Sequence, residues 1–209
     1  MRRGSAPVLD DAVVNVAALL DAEVRRDGAR PFLTWYDDAT GERVELSVLT
    51  LANWAVKTAN FLVDEHGVEP GDAVALSPSD HWLSYVAVLG AWCAGARLSD
   101  DGGVVVLPDD PAAFMSSVLP QPDALMSPAG EVEWPGVDGS GVPDGARVLS
   151  TLPLSTSVGL RLGLTGPLSA HGSVVMVRNA DASRLGERAR MERVTHTAGC
   201  DVDALPRLG

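Results

Sequence analysis

The stretch from residue 149 to residue 196, LSTLPLSTSVGLRLGLTGPLSAHGSVVMVRNADASRLGERARMERVTH, decides the fold class. In it, short apolar runs that favour buried strands alternate with segments whose apolar residues recur at helical spacing. The predicted strands cover residues 147–151, 173–177 and 194–197, and the predicted helices cover residues 155–168 and 182–193. This alternation predicts an α/β fold with a largely parallel, doubly covered sheet.

The upstream residues predict a β-hairpin at the N-terminal end of this fold. Residues 32–36 and 43–46 have strand character and flank a polar loop. The next helix has Ser47 as a cap and Gly67 at its end. The remaining predicted elements are helices at 9–24, 48–62, 81–94 and 111–118 and strands at 73–76, 104–107 and 124–126. The helix at 81–94 is apolar nearly all round, so we expect it to be buried on more than one side.

Residues 127–146, SPAGEVEWPGVDGSGVPDGA, have a different composition, dense in Gly, Pro and acidic residues. Such a composition is typical of a long loop. Of the five tryptophans, only Trp134 lies in this loop. We expect the other four to face the core, because they fall on predicted strands and helices.

Charge and cysteine content limit the classes of partner and the compartment. The net charge of −12 repels phosphate backbones and anionic lipid headgroups, so nucleic acid and membrane surfaces are not expected partners. Cys93 and Cys200 lack any CxxC spacing, which indicates a reducing compartment. The N-terminus does not resemble a signal peptide, and no apolar run reaches about 18 residues. We therefore expect a cytoplasmic protein.

The four histidines do not have the spacing of a metal site. His66 and His171 each precede a glycine at predicted exposed turns, and no HxH, HxxxH or HExxH pattern occurs. His81 begins the buried helix, where it could line the edge of a pocket. We therefore predict no metal site.

Several motifs together resemble the adenylate-forming, or acyl-CoA synthetase-like, superfamily. They are GVEPGD at 67–72, LSTLPLSTSVG at 149–159, LSAHGSVVMV at 168–177 and MERVTH at 191–196, in the order that the family has them. The hairpin and the apolar helix ending in AGA also match the family. The resemblance covers most of the chain, with a gap, and implies the fold of the N-terminal subdomains of acyl-CoA synthetases.

The gap in the resemblance falls where the family has its phosphate loop, which ends in GxPKG. The most similar string here is GVPDG at 141–145, in which Asp144 replaces the lysine. A chance surface turn is the alternative interpretation. The only lysine of the chain is Lys57, on a predicted surface helix. A lysine about 4 Å from a phosphate would attract it by about 4 kcal/mol at an effective dielectric near 20, whereas an aspartate there would repel it by as much.

The resemblance also implies where a ligand cleft would lie. Ser155 and Thr156 stand where the family often has an aromatic-His pair, and with Ser157 and Gly159 they form the predicted vestigial cleft. A helix cap and a buried packing hydroxyl are the alternative roles. No catalytic residue is predicted, because Ser155 and Ser157 lack a GxSxG elbow. No cofactor is expected, with ATP or AMP as the alternative.

We therefore expect residues 1–209 to form one truncated AMP-binding-like domain, in which the loop at 127–146 replaces the phosphate-loop region. The chain ends at Gly209, before the family's ribose-binding aspartate and the lysine of its C-terminal domain. These features predict a catalytically incomplete binding or assembly module. The alternative is residual nucleotide or acyl-adenylate binding, with the activity completed by another chain. A truncated face would also favour a homodimer or a protein partner.

Overall fold

The computed structural model describes residues 16–75, 81–99, 104–105, 111–124 and 141–209. In chain order its elements are α1 (Val16–Asp27), β1 (Pro31–Asp37), β2 (Arg43–Ser47), α2 (Val48–His66), β3 (Ala73–Ala75), α3 (Leu83–Cys93), β4 (Arg97–Leu98), β5 (Val104–Val105), α4 (Pro111–Val118), β6 (Arg147–Ser150), α5 (Ser157–Leu160), a π-helical segment (Arg161–Thr165), α6 (Gly166–Ser169), β7 (Ser173–Arg178), α7 (Ala182–Met191), β8 (His196–Ala198) and β9 (Arg207–Leu208).

Six strands form the main sheet, in the order β2-β1-β7-β6-β8-β9. β1 and β2 are antiparallel, with Trp35 opposite Val44, and every other pair in this sheet is parallel. The prediction of a largely parallel sheet with an N-terminal hairpin is therefore confirmed.

A second, smaller sheet has the order β4-β3-β5, and all of its pairs are parallel. The sequence did not predict that these strands separate from the main sheet. It also missed β4 and β9, which have two residues each, because so short a segment shows no periodicity. Ala124, predicted to begin a strand, lies in a bend. The predicted segments at 9–15, 76, 106–107, 125–126 and 127–140 lie outside the described residues.

Helices cover both faces of the main sheet. Because side chains alternate along a strand, Val174 and Met176 of β7 face one core and Val175 and Val177 face the other. The first core also contains α2, α3 and α6, whereas the second contains Leu185 of α7. None of the helices in the described ranges is long and apolar enough to span a bilayer.

Helix α3 is the most deeply buried element. All of its 11 residues are buried, as its uniformly apolar sequence predicted. It packs closely against α2 at Gly90, where an added Cβ would lie only 2.5 Å from the Cβ of Thr58. Helix α2 begins and ends as predicted: the Ser47 hydroxyl accepts from the Thr50 N–H, and Gly67 adopts a left-handed φ of +64°.

The predicted helix at 155–168 begins at Ser157 and contains a π-helical turn. The Gly166 N–H donates to the Arg161 carbonyl, five residues earlier, instead of to the residue four positions back. Gly166 permits this close approach, because a Cβ there would lie 2.6 Å from the Arg161 oxygen. π-Helical turns of this kind are frequent at functional sites.

Candidate functional site

The strand connections create a topological switch point at the carboxyl ends of β6 and β7. After β6 the chain passes to α5 and α6 on one face of the sheet, and after β7 it passes to α7 on the other face. These two strands are neighbours in the sheet. In open α/β sheets, ligands bind outside the carboxyl ends of strands at such a switch point. The loop at 151–156 follows β6 at this switch point, so it is the candidate ligand-binding segment.

The loop after β6 brings the four predicted cleft residues together within one helical turn. Thr156 caps α5: its hydroxyl accepts from the Gly159 N–H and donates to the Pro153 carbonyl, both at 3.0 Å. Gly159 is buried, and a Cβ there would lie 1.9 Å from the Pro153 oxygen. Ser155 and Ser157 are exposed. Thr156 and Gly159 therefore shape the loop, whereas Ser155 and Ser157 present hydroxyls to solvent.

Two buried hydroxyls lie beneath this loop. A Cβ added at Gly163 would lie 3.6 Å from the Tyr85 hydroxyl, 3.7 Å from Leu154 and 3.8 Å from the Ser150 hydroxyl. Ser150 accepts from the Leu152 N–H at 3.2 Å. Sequence reasoning did not single out Tyr85 or Ser150. The available signal was a phenol within an otherwise apolar helix and a hydroxyl at the end of an apolar strand.

The carboxyl ends of β1 and β7 add a buried acid near this edge. Asp37 accepts from the side chain of Asn179 at 2.8 Å and from the Ala39 N–H at 2.9 Å. Burial acts to raise the pKa of Asp37, but these hydrogen bonds outweigh it, and the pKa lies below its usual value. Asp37 is therefore a buried carboxylate anion.

His81 lies half-buried at the start of α3. Its ring contacts Trp35 and Trp82, with centroid distances of 5.1 and 5.4 Å. Burial lowers the pKa of His81, which favours the neutral imidazole at physiological pH. Its predicted role at the edge of a pocket stays a prediction.

Lys57 and Arg161 lie away from the carboxyl ends of β6 and β7. The Lys57 ammonium donates to the Leu119 carbonyl at 3.0 Å and pairs with Asp123 at 3.1 Å, so it holds the end of α4. Asp144 is exposed in the turn before β6. Arg161 lies beside that turn, with Nη1 3.4 Å from where a Cβ of Gly141 would be.

The structure corrects the expectation that His171 lies in an ordinary exposed turn. Its Nδ1 lies 2.7 Å from a carboxylate oxygen of Glu23, whose side chain is 3% exposed. Arg30 also pairs with Glu23 at 2.7 Å and donates to the Gly172 carbonyl. This cluster ties α1 to the start of β7. His66 is exposed, as expected, and its ring contacts Phe61.

The remaining candidates in the described ranges are metal-ligating side chains and the two cysteine thiols. No three side chains of His, Cys, Asp and Glu there converge as a metal site would require. Burial raises the pKa of Cys93 to about 12, and it also raises the pKa of Cys200. Both thiols are therefore poor nucleophiles.

Comparison with known proteins identifies the family, although no protein-family profile matches the chain. A TIGR03089 family protein from Mycobacterium tuberculosis (strain ATCC 25618 / H37Rv) is 36% identical over 168 residues, which are 78% of this chain and 67% of the relative. The chain belongs to the TIGR03089 family. The relative's printed name states no activity.

Solved structures with the same fold are adenylate-forming ligases. The N-terminal domain of FACL13 from Mycobacterium tuberculosis has a TM-score of 0.69 at 16% identity, covering 89% of this chain and 62% of that one. The anthranilate CoA ligase AuaEII in complex with anthranoyl-AMP has a TM-score of 0.67 at 15% identity, covering 89% and 48%.

A fatty acid AMP ligase from Legionella pneumophila has a TM-score of 0.66 at 10% identity, covering 92% of this chain and 46% of that one. The chain thus spans about half the length of the complete ligases and has the fold of their N-terminal part. At these identities the likeness concerns the fold, and it confirms the resemblance stated from the motifs.

Proposed function

We propose that this chain is a catalytically incomplete member of the adenylate-forming fold that works as a binding or assembly module. The observation that carries the proposal is the position of its cations. The only lysine, Lys57, is engaged by the end of α4, and the turn before β6 carries Asp144. Activation of a carboxylate by ATP requires cations to stabilise the transferring phosphoryl charge.

The effect of Asp144 on phosphate binding can be estimated from Coulomb's law. If the 141–145 turn corresponds to the end of a phosphate loop, Asp144 repels a phosphate about 4 Å away by about 4 kcal/mol, before solvent screening. A lysine would attract it by as much. Screening at this exposed turn reduces the size of the effect but leaves its sign unchanged. We therefore expect these 209 residues alone to bind ATP weakly and to form no adenylate.

The second candidate is residual binding of a nucleotide or acyl-adenylate at Ser155, Thr156, Ser157 and Gly159, with the activity completed by another chain. One observation favours it: this loop follows β6 at the switch point of the sheet. An adenylate carries one phosphate rather than three. It therefore needs fewer cations than ATP does.

The domain, partner and compartment assignments belong to the same proposal. We assign residues 1–209 to one AMP-binding-like domain, with residues 127–146 in place of the phosphate-loop region. A homodimer or a protein partner would cover the face that the rest of a ligase covers, and light scattering that shows a clean monomer would count against the homodimer. The free thiols of Cys93 and Cys200 fit a cytoplasmic protein.

ATP–pyrophosphate exchange tests the central statement. We expect no exchange above background with wild-type protein and a panel of carboxylic acids, and no ATP binding in the micromolar range by calorimetry. Exchange by the purified chain would overturn the proposal. Exchange that appears only with cell extract, together with micromolar binding of AMP or an acyl-adenylate, would favour the second candidate.

Charge variants show whether the turn before β6 controls phosphate affinity. Asp144→Lys should strengthen ATP binding more than Asp144→Asn does, because only the first adds an attraction. Asp64→Lys makes the same charge change at another exposed aspartate and serves as the matched control. If Asp64→Lys strengthens binding equally, net charge rather than the turn determines ATP affinity.

A further inference from the structure

A groove of about 880 Å³ runs along the outer side of α7. One wall is a stripe of this helix that includes Ser183, Gly186 and Arg190, and the other wall is the segment 201–205 with Val202 and Leu205. The volume lies within the range of small-molecule sites, about 300–1,000 Å³. A Cβ at Gly186 would meet nothing within 4 Å, so the groove is open beside this residue. This groove is separate from the loop at 151–159.

Two arginines line this groove without an ion-pair partner. Arg190 and Arg193 both contact it, and neither has a carboxylate within 4.0 Å among the described residues. By contrast, Arg184 and Arg188 of the same helix both pair with Asp38, at 3.2 and 2.7 Å. The groove thus holds two guanidinium groups whose hydrogen-bonding capacity is available to a ligand.

Arg193 occupies a backbone position that favours glycine. Its φ is +54°, and the Val194 N–H closes the end of α7 by donating to the Ala189 carbonyl at 2.9 Å. Glycine is the usual residue at this left-handed position after a helix, because other residues are strained there. An arginine is present although it costs folding stability. This cost is consistent with a role for its charge.

The acidic residues of the groove limit which anions fit. Asp201 is already paired with Arg207, at 3.0 and 3.1 Å. Glu187 and Asp203 also line the groove and balance the charge of the two arginines. An oxyanion must therefore bind through direct contacts with the guanidinium groups, and a polyanion such as a triphosphate is disfavoured because the groove has no net positive charge.

We propose that the α7 groove binds an organic oxyanion, a carboxylate or a phosphate monoester carried on a short apolar body. The guanidinium groups of Arg190 and Arg193 bind the oxyanion, since charge-assisted hydrogen bonds to such groups are strong. Val194, Val202 and Leu205 line the groove beside the apolar body. This site is independent of the function proposed above and requires neither ATP nor the loop at 151–159.

Backbone amide NMR of the full chain tests the site with hexanoate and hexyl phosphate as probes. We expect saturable shifts of the Ser183, Gly186 and Val202 amides with one or both anions, and the stronger of the two identifies the oxyanion. Hexanol and hexylamine carry the same body without the negative charge and should give no saturable shift. ATP should not compete. Absence of saturable shifts with both anions, or equal shifts with hexylamine, would overturn the proposal.

Variants separate ligand binding from a structural role at the end of the helix. Arg190→Gln combined with Arg193→Gly should weaken anion binding about tenfold or more, whereas Arg26→Gln, an exposed arginine of α1, should leave it unchanged. Arg193→Gly alone should raise the melting temperature of the free protein by about 2–4 °C, because it relieves the backbone strain. Unchanged affinity in the double variant, or a lower melting temperature in Arg193→Gly, would refute the assignment.

Discussion

The same substitution, glycine to alanine, should have opposite effects at two helical positions of this protein. A Cβ at Gly159 would lie 1.9 Å from the Pro153 oxygen and 2.9 Å from the Thr156 hydroxyl. A Cβ at Gly186 would meet nothing within 4 Å. Gly159→Ala therefore tests the packing of the loop after β6, and Gly186→Ala is its matched control on α7.

The expected magnitudes follow from these distances. Overpacking costs about 1–3 kcal/mol of unfolding free energy. The clash at Gly159 involves a backbone atom, so the loop must move and the Thr156 cap must weaken, which costs a further 0.5–2 kcal/mol, roughly. We therefore expect Gly159→Ala to lose about 2–4 kcal/mol. Gly186→Ala should gain about 1 kcal/mol, because alanine favours a helix interior more than glycine does.

Urea-induced unfolding, followed by tryptophan fluorescence, measures both free energies. In thermal unfolding, each 1 kcal/mol corresponds to about 2–4 °C for a chain of this size. Gly159→Ala should melt well below the wild type and Gly186→Ala slightly above it. A loss below about 1 kcal/mol in Gly159→Ala, or an equal loss in both variants, would show that the loop does not pack against α5 as described.

Three further perturbations test other parts of the structure. The hydrogen bond from Arg188 lowers the pKa of Asp38 below its unfolded value. The ionised Asp38 therefore stabilises the fold above about pH 4, and this contribution is lost as pH falls through the folded pKa. Arg188→Gln should reduce the acid dependence of the urea midpoint between pH 7 and pH 3. Lys57→Gln should lose roughly 1–2 kcal/mol of unfolding free energy, because the α4 carbonyls lose a charged donor, and faster amide exchange in α4 would locate the effect. Glu23→Gln should lower the free energy of unfolding by about 3 kcal/mol or more, because it leaves Arg30 without its buried partner. An unchanged midpoint in chemical unfolding would contradict the ion pair.

Local sequence patterns predicted the elements that form the scaffold of the candidate site. The hairpin, the buried helix α3 and the β6–α5–β7 succession follow from periodicities within each segment. The four cleft residues lie together because they are nearly contiguous, so their proximity needed no tertiary information. A helix cap was an alternative role that the sequence offered for Ser155 or Ser157, and the structure places the cap at Thr156.

The parts that the sequence missed depend on contacts between distant residues. Tyr85 and Ser150 both lie near Gly163, although they belong to different elements far apart in the chain. Likewise, the Glu23–His171 pair joins residues 148 positions apart, and no local signal distinguishes His171 from an exposed turn histidine. In a single sequence, each member of such a pair looks like an isolated polar residue, so the pairing cannot be predicted.

The position of the candidate site and any ligand preference there have separate physical origins. The position follows from the strand connections, because β6 and β7 lead to opposite faces of the sheet whatever side chains lie at their ends. The preference for triphosphate depends on a few cations, and here Lys57 is engaged elsewhere while Asp144 occupies the turn before β6. Neither residue belongs to a hydrophobic core, so the charges near a candidate site can change while the fold stays the same. Fold and ligand chemistry are therefore separate questions for this chain.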